Sequence, residues 1–225
     1  MMRLKIGKKI TIYFFILIIL GTFNNQKLLG INQFEIKDVI MESPDNSNFL
    51  DIPDKISKLQ KSSIFFISKN NLKKIIEENH LVENYFIFKN YPSTIKIKIF
   101  KTKFLSRLNI NGEFFLVGTN GKLSRDLDNT IDLPFIFGNP SIKQILDLNN
   151  SIKNSRFDLY EFSNLFYFKS GRWDLETKDG VIIRLPAKNF SKKLEEIFDI
   201  VENENFTNKR IIDARVPDQI IFYDW

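Results

Sequence analysis

Gly171-Arg172-Trp173-Asp174-Leu175-Glu176-Thr177-Lys178-Asp179-Gly180-Val181-Ile182-Ile183-Arg184-Leu185-Pro186 is the stretch whose reading decides the fold. Trp173, Leu175 and Thr177 alternate with Arg172, Asp174, Glu176 and Lys178, the period of a half-buried strand. Asp179-Gly180 tolerates the positive φ of a tight hairpin. Val181, Ile183 and Leu185 form the return strand, and Pro186 ends it. Phe190, Leu194, Ile197, Phe198 and Val201 then recur at i, i+4, i+7, i+8 and i+11, an amphipathic helix. Two short β-runs follow, Arg210 to Arg215 and Gln219 to Trp225. The last run is apolar and aromatic. It is either a closed core strand or a free edge awaiting another chain.

Upstream of the hairpin the pattern is mostly β back to Phe104. Asn109 to Gly112 reads as a turn, Glu113 to Val117 as a strand, and Gly118-Thr119-Asn120-Gly121 as a second turn. Leu133-Pro134-Phe135-Ile136-Phe137-Gly138 is a compact apolar loop or strand, and Leu159 to Lys169 an aromatic strand. Ile142, Ile145, Leu146 and Leu148 predict a helix between them. Residues 32–103 read differently, as a β-α-(β)-α-β-β unit. Its parts are a strand over Phe34 to Met41, a helix capped by Asp51, the apolar run Ile64-Phe65-Phe66-Ile67, and a helix capped by Ser68. Strands Leu81 to Lys89 and Ile95-Ile97-Ile99 complete it, joined by the turn Asn90-Tyr91-Pro92-Ser93.

Ile10 to Phe23 carries no charge, with Ile10, Tyr13, Phe14, Phe15, Leu17 and Leu20 as anchor residues. As a helix it is about 21 Å long, short of a ~30 Å hydrocarbon layer and also suited to a signal peptide. No small-x-small cleavage site follows, and Lys8, Lys9 and Lys27 can snorkel, which favours an anchor over residues 10–30. Arg3, Lys5, Lys8 and Lys9 place residues 1–9 in the cytoplasm and the bulk of the chain outside it.

Of the 33 Lys and Arg, those four lie in the tail, leaving 29 against 27 acidic residues. A nucleic-acid binder carries its excess on the folded part, so that class is disfavoured. With no cysteine and one histidine there is no ordinary zinc set and no Cys nucleophile. His80 reads as a helix-end imidazole beside free carbonyls. Asp126, Asp128 and Asp132 lack the spacing, the turn glycine and the twelfth-position Glu of a calcium loop, and read as a solvated loop. Glu77-Glu78 and Glu195-Glu196 read as exposed helix faces, and Asp213 with Arg215 as a structural ion pair or surface residues. No nucleophile or acid–base set is visible, so no enzyme, cofactor or small-molecule substrate is expected.

Taken together, the residues resemble the FtsQ/DivIB family of bacterial cell division proteins. The resemblance rests on the basic tail and apolar segment, on Tyr91-Pro92-Ser93-Thr94-Ile95-Lys96-Ile97, and on Leu133-Pro134 with Gly138. It rests further on Arg172-Trp173-Asp174-Leu175 with Gly180, Val181 and Leu185, and on Ile212-Asp213 with Arg215 and Pro217. Phe100 to Leu105 departs from the family, which usually shows an acidic–basic pair, then Pro and Ala. The fold class expected is α+β: a single N-terminal transmembrane helix, a small POTRA-type β-α-α-β-β unit over 31–103, and a mostly antiparallel β domain with flanking helices over 104–225. The resemblance implies a non-enzymatic scaffold in the inner membrane at the division septum, its bulk periplasmic. It implies FtsB and FtsL as partners, with FtsW, FtsI and other division proteins reached through the POTRA unit. FtsB is expected on the edge formed by Gln219, Ile220, Ile221, Phe222, Tyr223 and Trp225. The rival reading is a membrane-anchored POTRA protein of envelope assembly that binds unfolded strands.

Overall fold

The computed structural model describes residues 4–23, 34–44, 51–58, 60, 62–126, 131–203 and 210–223. The chain divides into two compact units, Met1–Lys101 and Thr102–Trp225. The first begins with helix α1 (Leu4–Phe23). Ile10, Tyr13, Phe14, Phe15, Leu17 and Leu20 lie on it, each between 60% and 68% exposed. Among the described residues no helix is long and apolar enough to cross a membrane. Residues 24–30 of the expected anchor lie outside the described residues.

The rest of this unit runs β1 (Asp38–Glu42), α2 (Asp51–Ser57), α3 (Lys69–Glu77), β2 (Val82–Asn90) and β3 (Thr94–Lys101). The strand order is β1-β3-β2, with β1 parallel and β2 antiparallel to β3. The central strand is the one with the most regular alternation: Ile95, Ile97 and Ile99 are fully buried against Ile52, Ile56, Leu72 and Ile76 of the two helices. Ser68 caps α3, its hydroxyl accepting from the Asn70 N–H at 3.2 Å. The first strand is shorter than its apolar run; Glu35 makes only an isolated bridge to Ser63. Ile64 to Phe66 is a turn rather than a strand. Lys89 explains this, since its ammonium donates to the carbonyls of Ile64 and Ile67 at 2.8 and 3.0 Å and closes that backbone on itself.

The second unit is one nine-stranded sheet. In chain order its strands are β4 (Phe104–Ile110), β5 (Glu113–Gly118), β6 (Leu123–Arg125), β7 (Phe135–Phe137), β8 (Phe162–Tyr167), β9 (Trp173–Thr177), β10 (Ile182–Arg184), β11 (Ile211–Asp213) and β12 (Ile221–Tyr223). Across the sheet they lie in the order β12-β11-β10-β9-β8-β7-β4-β5-β6. Helix α4 (Ile142–Asn154) connects β7 to β8, and α5 (Phe190–Asn203) connects β10 to β11; both joined pairs are parallel, as crossovers require. The β4–β7 pair is parallel too, so five of the eight pairings are antiparallel.

The two helices share one core with the sheet. Ile145, Leu148 and Ile152 of α4 and Leu194 and Ile197 of α5 join Trp173, Leu175, Ile183 and Ile212. The side chains between these strand positions point to the opposite face, which no helix covers among the described residues of this unit. The sequence reading names no strand between Phe104 and the turn at Asn109, where β4 lies. The cause is Ser106 and Arg107, polar yet buried. Arg107 pairs with Asp126 and donates to the Ile131 carbonyl at 3.2 Å. The expected strand from Leu159 begins only at Phe162, because Asp158 caps a single 3-10 turn over Leu159–Glu161.

Candidate partner-binding edge

β12 is the outermost strand of the large sheet, paired among the described strands with β11 through Ile211↔Tyr223, Ile212↔Phe222 and Asp213↔Ile221. The turn before it is closed by Asp218 in the left-handed region (φ 58) and by the Gln219 N–H donating to the Val216 carbonyl at 3.4 Å. Ile220 and Phe222 pack on the core, whereas Ile221 and Tyr223 are 37% and 44% exposed on the helix-free face. Gln219 stands in the turn before the strand, and Trp225 lies outside the described residues. One side chain in two is therefore committed inward, and the outer backbone edge is open among the described residues.

Beside this edge runs a row of side chains set by register. Phe166 faces Asp174, Asp174 faces Arg184, Arg184 faces Asp213, and Asp213 faces Ile221. All five point to the helix-free side. Arg215 joins the row from beyond β11, donating to Asp213 from Nε at 2.8 and 3.0 Å and from Nη2 at 2.5 Å. Arg184 is looser, 3.9 Å from Asp213 and 4.0 Å from Asp174. Arg172 lies 3.4 Å from Asp174 with its guanidinium 4.1 Å over the Phe168 ring. The hydrogen bonds from Arg215 hold Asp213 below the usual carboxylate range, and the same contact raises Arg215. Asp174 goes the other way: burial pushes its carboxyl up, against the pull of Arg172, Arg184 and Arg215. Its Oδ1 and the Arg172 Nε are buried and make no hydrogen bond among the described residues.

The opposite end of the face is aromatic. Phe135 lies edge-on to Phe114 at 5.5 Å and tilted against Phe137 at 5.4 Å, and Phe137 stacks on Phe166 at 5.1 Å. With Asn109 and Asn164, three of these rings (Phe114, Phe135 and Phe137) line a groove of about 530 Å³.

The sequence reading brought Asp213 and Arg215 together, and the ion pair is there. It did not assemble Arg172, Asp174 and Arg184 with them. That pairing follows from a three-residue loop over Lys178, Asp179 and Gly180, which sets Asp174 opposite Arg184. Elsewhere, Asp126 is engaged by Arg107 and Asp132 by Lys178, while Asp128 lies outside the described residues. His80 lies three residues past the end of α3.

Residues 106–215, which include every strand from β5 to β11, match the family model described as cell division protein FtsQ/DivIB, C-terminal. Over these residues the chain matches the C-terminal domain of the FtsQ/DivIB family. The cell division protein FtsQ of Rickettsia bellii is 25% identical over 191 residues, covering 84% of this chain and 72% of that protein. FtsQ of Rickettsia typhi is 24% identical over the same length and shares. Among solved structures, the major extracytoplasmic domain of DivIB from Geobacillus stearothermophilus aligns with 44% of this chain and 91% of its own, at 18% identity and a TM-score of 0.34. The FtsQ/DivIB match stops at Arg215, so β12 lies beyond it.

Proposed function

We propose that this chain is a non-enzymatic division scaffold that recruits FtsB and FtsL by accepting a strand on β12. The observation that carries the reading is the position of β12, outermost in the sheet with Ile221 and Tyr223 exposed. An unpaired edge offers N–H and C=O groups to an incoming strand, and the side chains at alternate positions select which strand fits. Tyr223 supplies an aromatic anchor of the kind that dominates interface energetics, and Trp225 a second. The α1 segment tethers the protein in the inner membrane at the septum, with residues 1–9 cytoplasmic and flanking lysines completing a short span. The β-α-α-β-β order of the first unit supports reading it as a POTRA domain, through which FtsW, FtsI and other division proteins are reached.

Phe222 is packed inward, so replacing it would injure the core as well as the edge. The test is therefore Tyr223→Lys, measured by co-purification of FtsB with the full chain. The expected result is at least tenfold weaker binding with an unchanged circular dichroism spectrum. Undiminished binding by a folded Tyr223→Lys protein overturns the edge assignment.

A further inference from the structure

Helix α4 buries four side chains, and three of them, Ile145, Leu148 and Ile152, are apolar. The fourth is Asn149, 6% exposed. Asparagine is disfavoured inside a helix, and burial takes one acceptor and two donors of its amide away from water. Other polar side chains of α4 are satisfied: Gln144 donates to the Tyr167 hydroxyl at 2.5 Å, and Ser151 to the Asp147 carbonyl at 2.9 Å. The Asn149 side chain makes no hydrogen bond among the described residues. Packing does not explain it.

Asn149 opens into a cavity of about 440 Å³, within the size range of small-ligand sites. The floor is apolar. Leu105 and Leu159 are buried there, and the Phe157 ring is fixed against Phe162 and Phe198 at 5.8 and 4.9 Å. Tyr160 closes one wall, its hydroxyl donating to the Phe104 carbonyl at 3.2 Å. The rim carries Lys103, Lys153 and Arg156 against one acid, Asp158. Arg156 is held by Asp199, and Asp158 caps the 3-10 turn by accepting from the Tyr160 N–H at 3.1 Å. Lys103 and Lys153 make no ion pair among the described residues. The negative end of α4 accounts for Lys153 in its last turn, but not for Lys103, which comes from the residue before β4.

We infer that this cavity binds the C-terminal residue of a peptide. The two lysines meet its terminal carboxylate in charge-assisted hydrogen bonds. Asn149 pairs with the peptide backbone, its Oδ1 accepting from an N–H and its Nδ2 donating to a carbonyl. An apolar last side chain lies over Leu105, Phe157 and Leu159. A phosphate would satisfy the lysines and leave the Asn149 acceptor unpaired; a purely apolar ligand would leave the whole amide unpaired. The cavity takes no residue from β11 or β12, so the site is separate from the strand-accepting edge.

The test applies the full chain in detergent micelles to an array of acetylated peptides varied at their last two positions. Each sequence is present both as the free acid and as the C-terminal amide. Free acids ending in an apolar residue should bind at least tenfold more tightly than their amides. Lys153→Gln should weaken that binding severalfold. Asn149→Leu changes no charge, yet should lose the binding at least tenfold while its denaturation midpoint rises, because an unpaired amide leaves the interior. FtsB binding by the same Asn149→Leu protein should equal that of the wild type, which keeps this site distinct from β12. Non-specific attraction of carboxylates to lysines would survive Asn149→Leu, and that survival overturns the inference. So does an array without acid-selective members, displacement of bound peptide by inorganic phosphate, or a midpoint lowered by Asn149→Leu.

Discussion

Arg215 closes a fork on Asp213 two residues earlier, with Nε 2.8 Å from one carboxylate oxygen and Nη2 2.5 Å from the other. The Arg215 backbone N–H adds a further bond to the same carboxylate at 3.1 Å. This local clamp turns the chain out of β11 towards the Asp218 turn and so sets where β12 begins. The clamp also gives Asp213 the depressed folded-state pKa noted above. A depressed carboxyl pKa contributes stability that is present above the unfolded value of about 3.9 and is lost as pH falls through the folded value. Asp213→Asn should therefore lower the unfolding free energy near neutral pH by about 1.5–3 kcal/mol, the range for hydrogen bonds to a charged group. Chemical denaturation across pH checks this: the difference from wild type should close at acidic pH.

Asp174, two strands away on β9, should behave oppositely. Its carboxyl is raised by burial, so the unfolded state ionises first. Stability then falls as pH rises through the window between the unfolded and folded values, and stays reduced above it. Asp174→Asn should raise the denaturation midpoint at neutral pH, and the gain should fade below about pH 3.9. A midpoint that drops at neutral pH would show that Arg172 and Arg184 need this charge more than burial penalises it.

Gly138 is a position where only glycine fits. Its φ is +97°, and a Cβ there would sit 2.2 Å from the backbone carbonyl oxygen of Tyr167. Gly138→Ala meets both left-handed strain, about 1–2 kcal/mol, and a backbone collision between β7 and β8. Thermal unfolding of the second unit should shift down sharply, while the first unit is unaffected.

Trp173 is 2% exposed and lies 4.9 Å from Tyr167 under the two helices. Trp173→Ala should cost about 3–5 kcal/mol of unfolding free energy. The capping box of α4 is a milder lever, with the Ser141 N–H donating to Gln144 at 2.8 Å and the Ser141 hydroxyl accepting from the Gln144 N–H at 3.4 Å. Ser141→Ala should cost about 1 kcal/mol in the same denaturation assay.

The tether has its own test. Alkaline phosphatase fused after residue 40 should be active in cells, since the enzyme works only outside the cytoplasm in this topology. An inactive fusion would mean that Arg3, Lys5, Lys8 and Lys9 do not orient the segment.

Much of the fold was legible in side-chain period. Ile95, Ile97 and Ile99 announced a central strand, Trp173 with Leu175 announced β9, and Ser68 announced a helix start, because each rests on local physics. β4 was hidden because Arg107 is buried by an acid 19 residues away, a pairing no local window contains. The turn at Ile64 was hidden for the same reason, its carbonyls being held by Lys89 from 25 residues downstream. At the edge the sequence names Phe222 and Tyr223 together, and the charged row of Asp174, Arg184 and Asp213 needs the register of three strands at once. The nine-residue edge of β2 was visible as a strand, but that it is outermost follows only from the parallel pairing of β1 with β3.

A strand held by one three-residue ladder opens far more readily than the core behind it. The amide protons of Ile221 to Tyr223 should therefore exchange with deuterium quickly in the isolated protein and slowly once a second strand lies outside them. The exchange rate of this short peptide segment thus becomes a gauge of how much of the protein is engaged at any moment.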